Sequence, residues 1–237
     1  MTMTVSEVLS ELEKLGNEQT KKTLMRHGAV EPLFGVKIGD LKPLRKVLKK
    51  NHALALELYA SGNSDAMYLA GLIADENQVT KAELNLWMKQ ASWSLISGTA
   101  VAALASESPH VLAVAQKWID SKAELTAAAG WQTMTHHISI ADDSLIDRDL
   151  IENLLDRVID EIHGERNEVK AAMNGFVIAV GSYLTSLTDQ AKKAAARIGA
   201  VKVDKGNTAC KTPDALVYIE KVEKSGRLGR KRKSARC

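Results

Sequence analysis

All four tryptophans of this 237-residue chain lie in one central stretch, although aromatic residues make up only 4% of the sequence. They are Trp87, Trp93, Trp118 and Trp131. Indole rings at this density can form a stacking surface, and Trp93 and Trp131 are the candidates for aromatic contacts in a binding groove. The alternative is that each ring packs between helices as part of the core.

Positive charge is concentrated at the C-terminal end. Between Lys221 and Cys237 there are eight basic residues and one acid, Glu223, which gives this segment a charge of +7. Since the whole chain carries +3, the first 220 residues carry −4. Clustered cations neutralise phosphates and give salt-sensitive affinity, although a solvated tail is the alternative. The predicted phosphate contacts here are Arg227, Arg230, Lys231, Arg232, Lys233 and Arg236.

Two smaller groups of basic residues are further candidates for contacts with the phosphates of a polyanion. The first comprises Lys37, Lys42, Arg45 and Lys46, for which an ordinary solvated helix face is an equal alternative. The second comprises Lys202 and Lys205, which lie in a turn-rich segment that could project into a groove or a strand junction. Both groups contribute to a predicted basic surface.

Other chemistries have weak signals. His136 and His137 are adjacent, so on a helix they point about 100° apart and do not readily share a metal. The acids between Asp142 and Asp149 lie before and at a predicted helix start, where capping explains them. The chain has no G-x-x-x-x-G-K-[ST] loop, no Rossmann glycine run and no nucleophile with an adjacent base. We therefore expect no metal and no cofactor.

The elements that position these residues are predicted to be helices. Apolar residues recur with helical spacing in eleven or twelve segments joined by short loops, as from Thr4 to Leu15. Helices paired in this way indicate an all-α fold, an α-α superhelix or solenoid, with a compact bundle as the alternative. One exception is residues 201–211, where β-branched residues flank a Gly-Asn turn and predict a short β-hairpin.

The predicted organisation is one helical-repeat domain over residues 1–226 and a basic C-terminal tail over residues 227–237. Two cysteines, Cys210 and Cys237, suit a reducing compartment. We find neither a signal-peptide pattern nor an uncharged apolar stretch long enough to cross a membrane. The expected location is the cytoplasm, without a membrane partner.

Several segments form a series along nearly the whole chain. They are F-G-V-K-I-G-D-L-K-P-L-R-K, D-A-M-Y-L-A-G, Q-A-S-W-S-L-I-S and K-W-I-D-S-K-A-E-L-T-A-A-A-G-W. In order and spacing this series resembles the bacterial HEAT-like repeat DNA glycosylases, the AlkD or DNA alkylation repair superfamily. The segments A-A-M-N-G-F and G-R-L-G-R-K-R-K-S-A-R-C more closely resemble its AlkF/AlkG-type branch. The resemblance implies HEAT-like helical pairs with a basic groove for DNA.

The resemblance also implies where an active site would lie. In active members an Asp one turn after a Trp, an Arg on a following repeat and a further Trp form the base-excision site, where the carboxylate stabilises charge on the sugar. The corresponding residues here are Ser94 and Gly98 for the first pair, Ala127 for the Arg, and Met173 or Asn174 for the last aromatic. Glycine and alanine carry no charge, so we expect no catalytic residues.

Our leading hypothesis is a DNA-binding protein without catalytic activity that recognises branched or distorted DNA through phosphate contacts. One alternative is an alkylpurine DNA glycosylase with an atypical active site. Another is a helical-repeat scaffold for a protein partner, which the negative charge of the first 220 residues favours. The expected partner is DNA, duplex or branched, and a protein partner is an open alternative.

Overall fold

In a computed structural model, every regular element is helical among the residues that the structure describes, which are 3–206, 208 and 210–236. The first seven helices are α1 (Val5–Leu15), α2 (Glu18–Arg26), α3 (Lys42–Leu48), α4 (His52–Ala60), α5 (Ser64–Ile73), α6 (Lys81–Gln90) and α7 (Ala102–Glu107). The next six are α8 (Val111–Ile119), α9 (Glu124–Ile140), α10 (Arg148–Glu161), α11 (Asn167–Tyr183), α12 (Thr188–Ile198) and α13 (Ala215–Lys224). The predicted all-α class is confirmed.

Short segments of other helix types lie between the α-helices of the described residues. Three 3-10 turns span Ile38–Leu41, Asp143–Leu145 and Thr185–Leu187, and a π-helical segment spans Leu95–Val101 directly before α7. Helix α6 begins with a capping box at Thr80. The Thr80 hydroxyl accepts from the Glu83 amide at 3.2 Å, while the Glu83 carboxylate accepts from the Thr80 amide at 2.7 Å.

The chain divides into two compact units. The first unit comprises residues 3–110 with Gly206, Thr208 and Arg236, and it contains α1 to α7. The second unit comprises residues 111–205 and 210–235, and it contains α8 to α13. Residues 227–235 belong to the second unit. The division into a single domain over residues 1–226 and a tail over residues 227–237 stays a prediction.

Glycines allow close helix crossings in the second unit. At Gly130 on α9, a Cβ atom would lie 2.5 Å from the backbone nitrogen of Ile119 and 2.9 Å from the carbonyl oxygen of Ala115. At Gly181 on α11, a Cβ atom would lie 2.5 Å from Cδ1 of Ile219, which is fully buried on α13. The backbone of α8 approaches α9 at Gly130, and the Ile219 side chain of α13 approaches α11 at Gly181. Both distances are short enough to require a residue without a Cβ.

The predicted β-hairpin over residues 201–211 is not observed in the described part of that segment; Asn207 and Ala209 lie outside the described residues. The side-chain amide of Asn167 bonds both backbone groups of Asp204, donating to its carbonyl and accepting from its amide at 2.7 Å each. A side chain from α11 thus takes the backbone groups that a strand ladder would use, which explains why the hairpin prediction is wrong here.

Arg236, predicted to contact phosphate, is buried in the first unit with its side chain 4% exposed. Its guanidinium pairs with Glu76 at 2.6 Å and with Glu107 at 2.7 Å. The same group donates to the carbonyl oxygens of Gly71 at 3.2 Å and Ala74 at 2.6 Å. A guanidinium engaged on all sides cannot also bind a phosphate, so this assignment is corrected.

No single helix of the described residues is both long enough and apolar enough to cross a membrane. Helix α11 together with Thr185–Ile198 meets the length and composition criteria jointly, but the two segments bend by 111° at the break between them.

We predict that Gly130→Ala lowers the free energy of unfolding of the second unit by about 1–3 kcal/mol, because its methyl group would collide with the backbone of α8. Gly175→Ala on α11 is the matched control, since nothing lies within 4 Å of its added Cβ. That substitution is expected to add about 0.5–1 kcal/mol through helix propensity. Urea unfolding measures both, and equal effects would contradict the close approach at Gly130.

We predict that Arg236→Ala costs about 3–5 kcal/mol in the first unit, because the carboxylates of Glu76 and Glu107 would stay in place without their shared cation. Lys233→Ala removes an exposed cation without an ion pair among the described residues, and its effect should stay within about 0.5 kcal/mol. Denaturant midpoints of the two variants provide the comparison, and similar losses for both would contradict the buried arrangement.

The Arg236 effect should also depend on pH. Burial raises the pKa of Glu76, but hydrogen bonds from Lys50, from its own backbone and from Arg236 outweigh it and hold the pKa below its ordinary value of 4.5. Stability contributed by a carboxylate with a lowered pKa is present above the ordinary value and is lost as the pH falls through the lowered one. The difference between wild type and Arg236→Ala should therefore shrink below pH 4.5.

Candidate nucleic-acid interface

The four tryptophans are buried, with exposed fractions of 1–5%. The indole of Trp93 donates from Nε1 to the Ser64 hydroxyl at 2.7 Å. Trp131 packs edge-on against Phe176 with ring centroids 5.3 Å apart. Neither ring presents a face to a base, so the predicted role of Trp93 and Trp131 as groove aromatics is wrong. The core-packing alternative describes them correctly.

Trp87 and Trp131 also have polar neighbours. Trp87 stacks on Tyr59 at 4.0 Å, and the Tyr59 hydroxyl donates to the Trp87 carbonyl at 2.7 Å. Burial raises the pKa of Tyr59. Arg157 lies 6.0 Å from the centroid of Trp131 and also pairs with acidic side chains of α10 and the α8–α9 loop. These contacts fix the rings in place and do not expose them.

The positions that would carry base excision in active relatives hold no ionisable side chain. Gly98 is buried in the π-helical segment, and Ala127 is fully buried on α9. Met173 is also fully buried, and Asn174 donates its side-chain amide to the Pro213 carbonyl at 3.0 Å. These residues supply neither a carboxylate to stabilise a cationic sugar nor a guanidinium to assist it.

The basic C-terminal segment, residues 227–233, is fixed against the second unit. Its attachment begins after α13, where Gly226 adopts a positive φ of 65°. The amide of Gly229 then donates to the Ser182 carbonyl at 2.9 Å, and the amide of Arg232 donates to the Ser139 carbonyl at 2.8 Å. These two backbone bonds hold the segment along the ends of α11 and α9, in place of the solvated tail that was the alternative.

Within this segment the cations have different surroundings. The ammonium of Lys231 donates to the Ile138 carbonyl and pairs with Asp143, at 2.8 Å each. Lys231 therefore helps to attach the segment. Arg227, Arg230 and Lys233 are exposed and have no ion pair among the described residues.

The one acid of this C-terminal region does not neutralise those arginines. Glu223 pairs with Lys192 on α12 at 2.5 Å. Hydrogen bonding to Glu223 raises the pKa of Lys192, although burial opposes this. Because Glu223 is already engaged, the positive charge of Arg227 and Arg230 remains uncompensated at the surface of the second unit.

The basic group of the first unit is positioned by a buried acid that sequence reasoning missed. Asp65 accepts hydrogen bonds from three consecutive amides, those of Phe34 at 2.6 Å, Gly35 at 3.1 Å and Val36 at 2.9 Å. This cap fixes the loop that leads into α3. The residues placed by it are Lys37, Lys42 and Lys46, which are exposed, and Arg45, which is half-buried. The sequence feature that could have indicated this cap is the acid Asp65, two residues after Asn63, the N-cap of α5.

Lys202 and Lys205 follow α12 in the loop that Asn167 anchors through Asp204. Lys202 is exposed, whereas Lys205 is half-buried. The loop therefore presents one cation fully to solvent, without the hairpin that was expected to carry both.

A cavity of about 420 Å³ in the second unit was not predicted. Its walls come from α9, α11, α13 and the basic C-terminal segment. The lining residues are Thr135, Gly175, Ile178, Ala179, Ser182, Tyr183, Tyr218, Val222, Arg227 and Arg230. The two tyrosines, half of the four in the chain, were the signal that could have indicated it.

Comparison with known proteins gives a consistent result. The family profile described as DNA alkylation repair enzyme matches residues 8–215. An uncharacterized protein of Listeria innocua is 38% identical over 225 residues, covering 92% of this chain and 97% of that protein. One from Listeria monocytogenes is 37% identical over 225 residues with the same coverage.

A solved structure is also similar, with a TM-score of 0.93 and 39% identity, covering 99% of this chain and 100% of that one. It represents a new family of proteins related to the HEAT-like repeat DNA glycosylases with affinity for branched DNA structures. The helical fold is thus that of the HEAT-like repeat proteins, as the resemblance implied. With the family profile covering most of its length, the chain belongs to the DNA alkylation repair enzyme family.

Proposed function

We propose that this protein is a DNA-binding member of its family without catalytic activity, and that it recognises branched or distorted DNA. The observation that carries the proposal is the likeness, over almost the entire chain, to a protein with affinity for branched DNA. At 39% identity and a TM-score of 0.93, the two chains share their backbone frame in detail. We propose the cytoplasm as its location.

The residues at the expected excision positions support a role in binding. Removing one preorganised group that stabilises transition-state charge typically costs about 10²–10³ in rate. Both charged groups of the active family are replaced here, by Gly98 and Ala127, and both positions are buried. A scaffold that lacks these groups keeps its ability to hold DNA, because phosphate contacts come from other surfaces.

The proposed phosphate contacts are exposed or half-buried basic residues of both units. They are Lys37, Lys42, Arg45 and Lys46 in the first unit and Lys202, Lys205, Arg227, Arg230, Arg232 and Lys233 in the second. Lys231 supports them by attaching the C-terminal segment to α9 and Asp143. Contacts to phosphates report the path of the backbone without reading base edges, which suits recognition of a DNA shape.

We expect the protein to retain a four-way junction more tightly than a linear duplex of the same sequence, with an affinity that falls steeply with salt. Neutralising Lys37, Lys42, Lys46 and Lys233 to Gln should weaken binding to every sequence and flatten the salt slope by up to about one unit per lysine. Gel retention across a salt series measures both effects.

The matched control removes the same charge from exposed positions outside the proposed set. It changes Lys14, Lys22, Lys81 and Lys89 to Gln. Equal weakening by the control set would show a general charge effect, and equal affinity for junction and duplex would reject recognition of DNA structure.

We expect no release of methylated base from an alkylated duplex in a single-turnover assay at protein excess. The physical reason is the missing carboxylate and guanidinium at Gly98 and Ala127. A catalytically active family member serves as the positive control. Release above the rate without protein would favour the alternative, an alkylpurine glycosylase with an atypical site.

A further inference from the structure

The cavity of the second unit combines groups that rarely meet by chance on a helical surface. Tyr183 of α11 and Tyr218 of α13 line it, together with Arg227 and Arg230 of the C-terminal segment. None of its lining residues is acidic. At about 420 Å³ it falls within the range of about 300–1,000 Å³ that is usual for small-molecule sites. Its chemistry suits an anion that carries a flat ring.

Ser182 on α11 is an independent indication of a ligand. It is 4% exposed, and its hydroxyl has no hydrogen-bond partner among the described residues. By contrast, the buried hydroxyl of Thr133 in the same unit donates to the Ala129 carbonyl at 2.8 Å. Buried polar groups in proteins are almost always paired, so an unpaired hydroxyl in a cavity wall calls for a partner from outside the chain.

Helix α11 leaves room for that partner. Residues 175, 178, 179 and 182 follow each other at helical spacing and face the cavity together. At Gly175 an added Cβ would meet nothing within 4 Å, which shows open space beside the helix. Close packing of α13 at Gly181 brings Tyr218 and Val222 over this space without filling it.

The arginines are available to an anion. Arg227 donates from Nε to the Ser225 hydroxyl at 2.9 Å, which orients the guanidinium and leaves its other donors open. Arg230 is exposed, and the carboxylate of Glu223 is engaged by Lys192. Two guanidinium groups at one cavity favour a phosphate, which arginine binds through paired hydrogen bonds.

We propose that this cavity binds a single nucleotide, with its base against Tyr183 and Tyr218, a polar edge of the base or sugar at the Ser182 hydroxyl, and its phosphate at Arg227 and Arg230. The inference rests on the proposed DNA-binding function, in which the source is an unpaired nucleotide at a branch or bulge. Aromatic side chains that stack on unpaired bases tolerate any sequence, which suits recognition of DNA structure. A free mononucleotide shares the same chemistry.

The test follows the fluorescence of 2-aminopurine, which falls when the base stacks. Three probes are titrated with the full chain: a duplex with one extrahelical 2-aminopurine, the same duplex with that base paired, and the free 2-aminopurine deoxyribonucleoside monophosphate. Quenching of the extrahelical and free probes, with little change in the paired one, is the expected result. Quenching of the free probe alone would identify a mononucleotide site.

Gly175→Leu is the decisive variant, because it places a bulky apolar side chain at the cavity wall without changing charge, and its Cβ enters open space. It should abolish quenching while four-way junctions are still retained on gels. Tyr218→Leu, and Arg227→Gln with Arg230→Gln, should weaken binding of the extrahelical probe about tenfold. Val217→Ala is the control on α13, since Val217 is 61% exposed and does not line the cavity.

The outcomes separate the two proposals. If the junction is retained but neither unpaired probe is quenched, the nucleotide site is overturned and the DNA-binding function stands. The same conclusion follows if the junction is retained and the Gly175→Leu variant quenches the probes as strongly as the wild type does. Quenching of the free probe that Gly175→Leu abolishes, without retention of any DNA, would reject the function and keep the site. Urea unfolding of Gly175→Leu confirms that its effect does not come from loss of fold.

Discussion

The close approach of α13 to α11 at Gly181 is the constraint on which the candidate interface of the second unit depends. Any side chain at that position would meet the buried Ile219 at 2.5 Å, so the helix could not seat where it does. Because α13 lies there, its end places the basic segment near Ser182, whose carbonyl receives the Gly229 amide. One missing Cβ thus sets the position of the cavity wall and of the arginines beside it.

The basic residues near the C-terminal end have distinct roles. The role of each depends on how deeply it is buried and on which groups it contacts. The guanidinium of Arg236 is surrounded by two carboxylates and two carbonyls, because a charge removed from water must recover its hydration through protein partners. Lys231 is half-buried and attaches the C-terminal segment. Arg227 and Arg230 remain hydrated at the rim of a cavity, where an arriving phosphate can replace water at little desolvation cost.

The helical frame of the family does not depend on the residues at the expected excision positions. A helical repeat is stabilised by apolar packing between neighbouring helices, and that packing does not require a catalytic carboxylate. Gly98 and Ala127 lie among buried residues, so small apolar groups at these points are compatible with the core. The proposed binding surface uses basic residues on other elements, so that DNA binding as proposed does not depend on the groups that excise a base.

The sequence by itself determined the helices. The apolar spacing from Thr4 to Leu15 and the acids before the helix that begins after Asp147 predicted elements that the structure contains at those places. Helical periodicity and capping are local interactions within a few residues, so the chain order alone reveals them. The order of segments also indicated the family, which the family profile over residues 8–215 confirms.

Tertiary structure alone decided which residues of each type face solvent. The four tryptophans could have lined a groove, but they pack in the cores. In the described part of residues 201–211, the side chain of Asn167 on α11 bonds the backbone of Asp204, where a hairpin was expected. The cavity of Tyr183, Tyr218, Arg227 and Arg230 joins residues from separate helices and the C-terminal segment. Such proximity depends on how distant parts of the chain pack, and no local pattern contains that information.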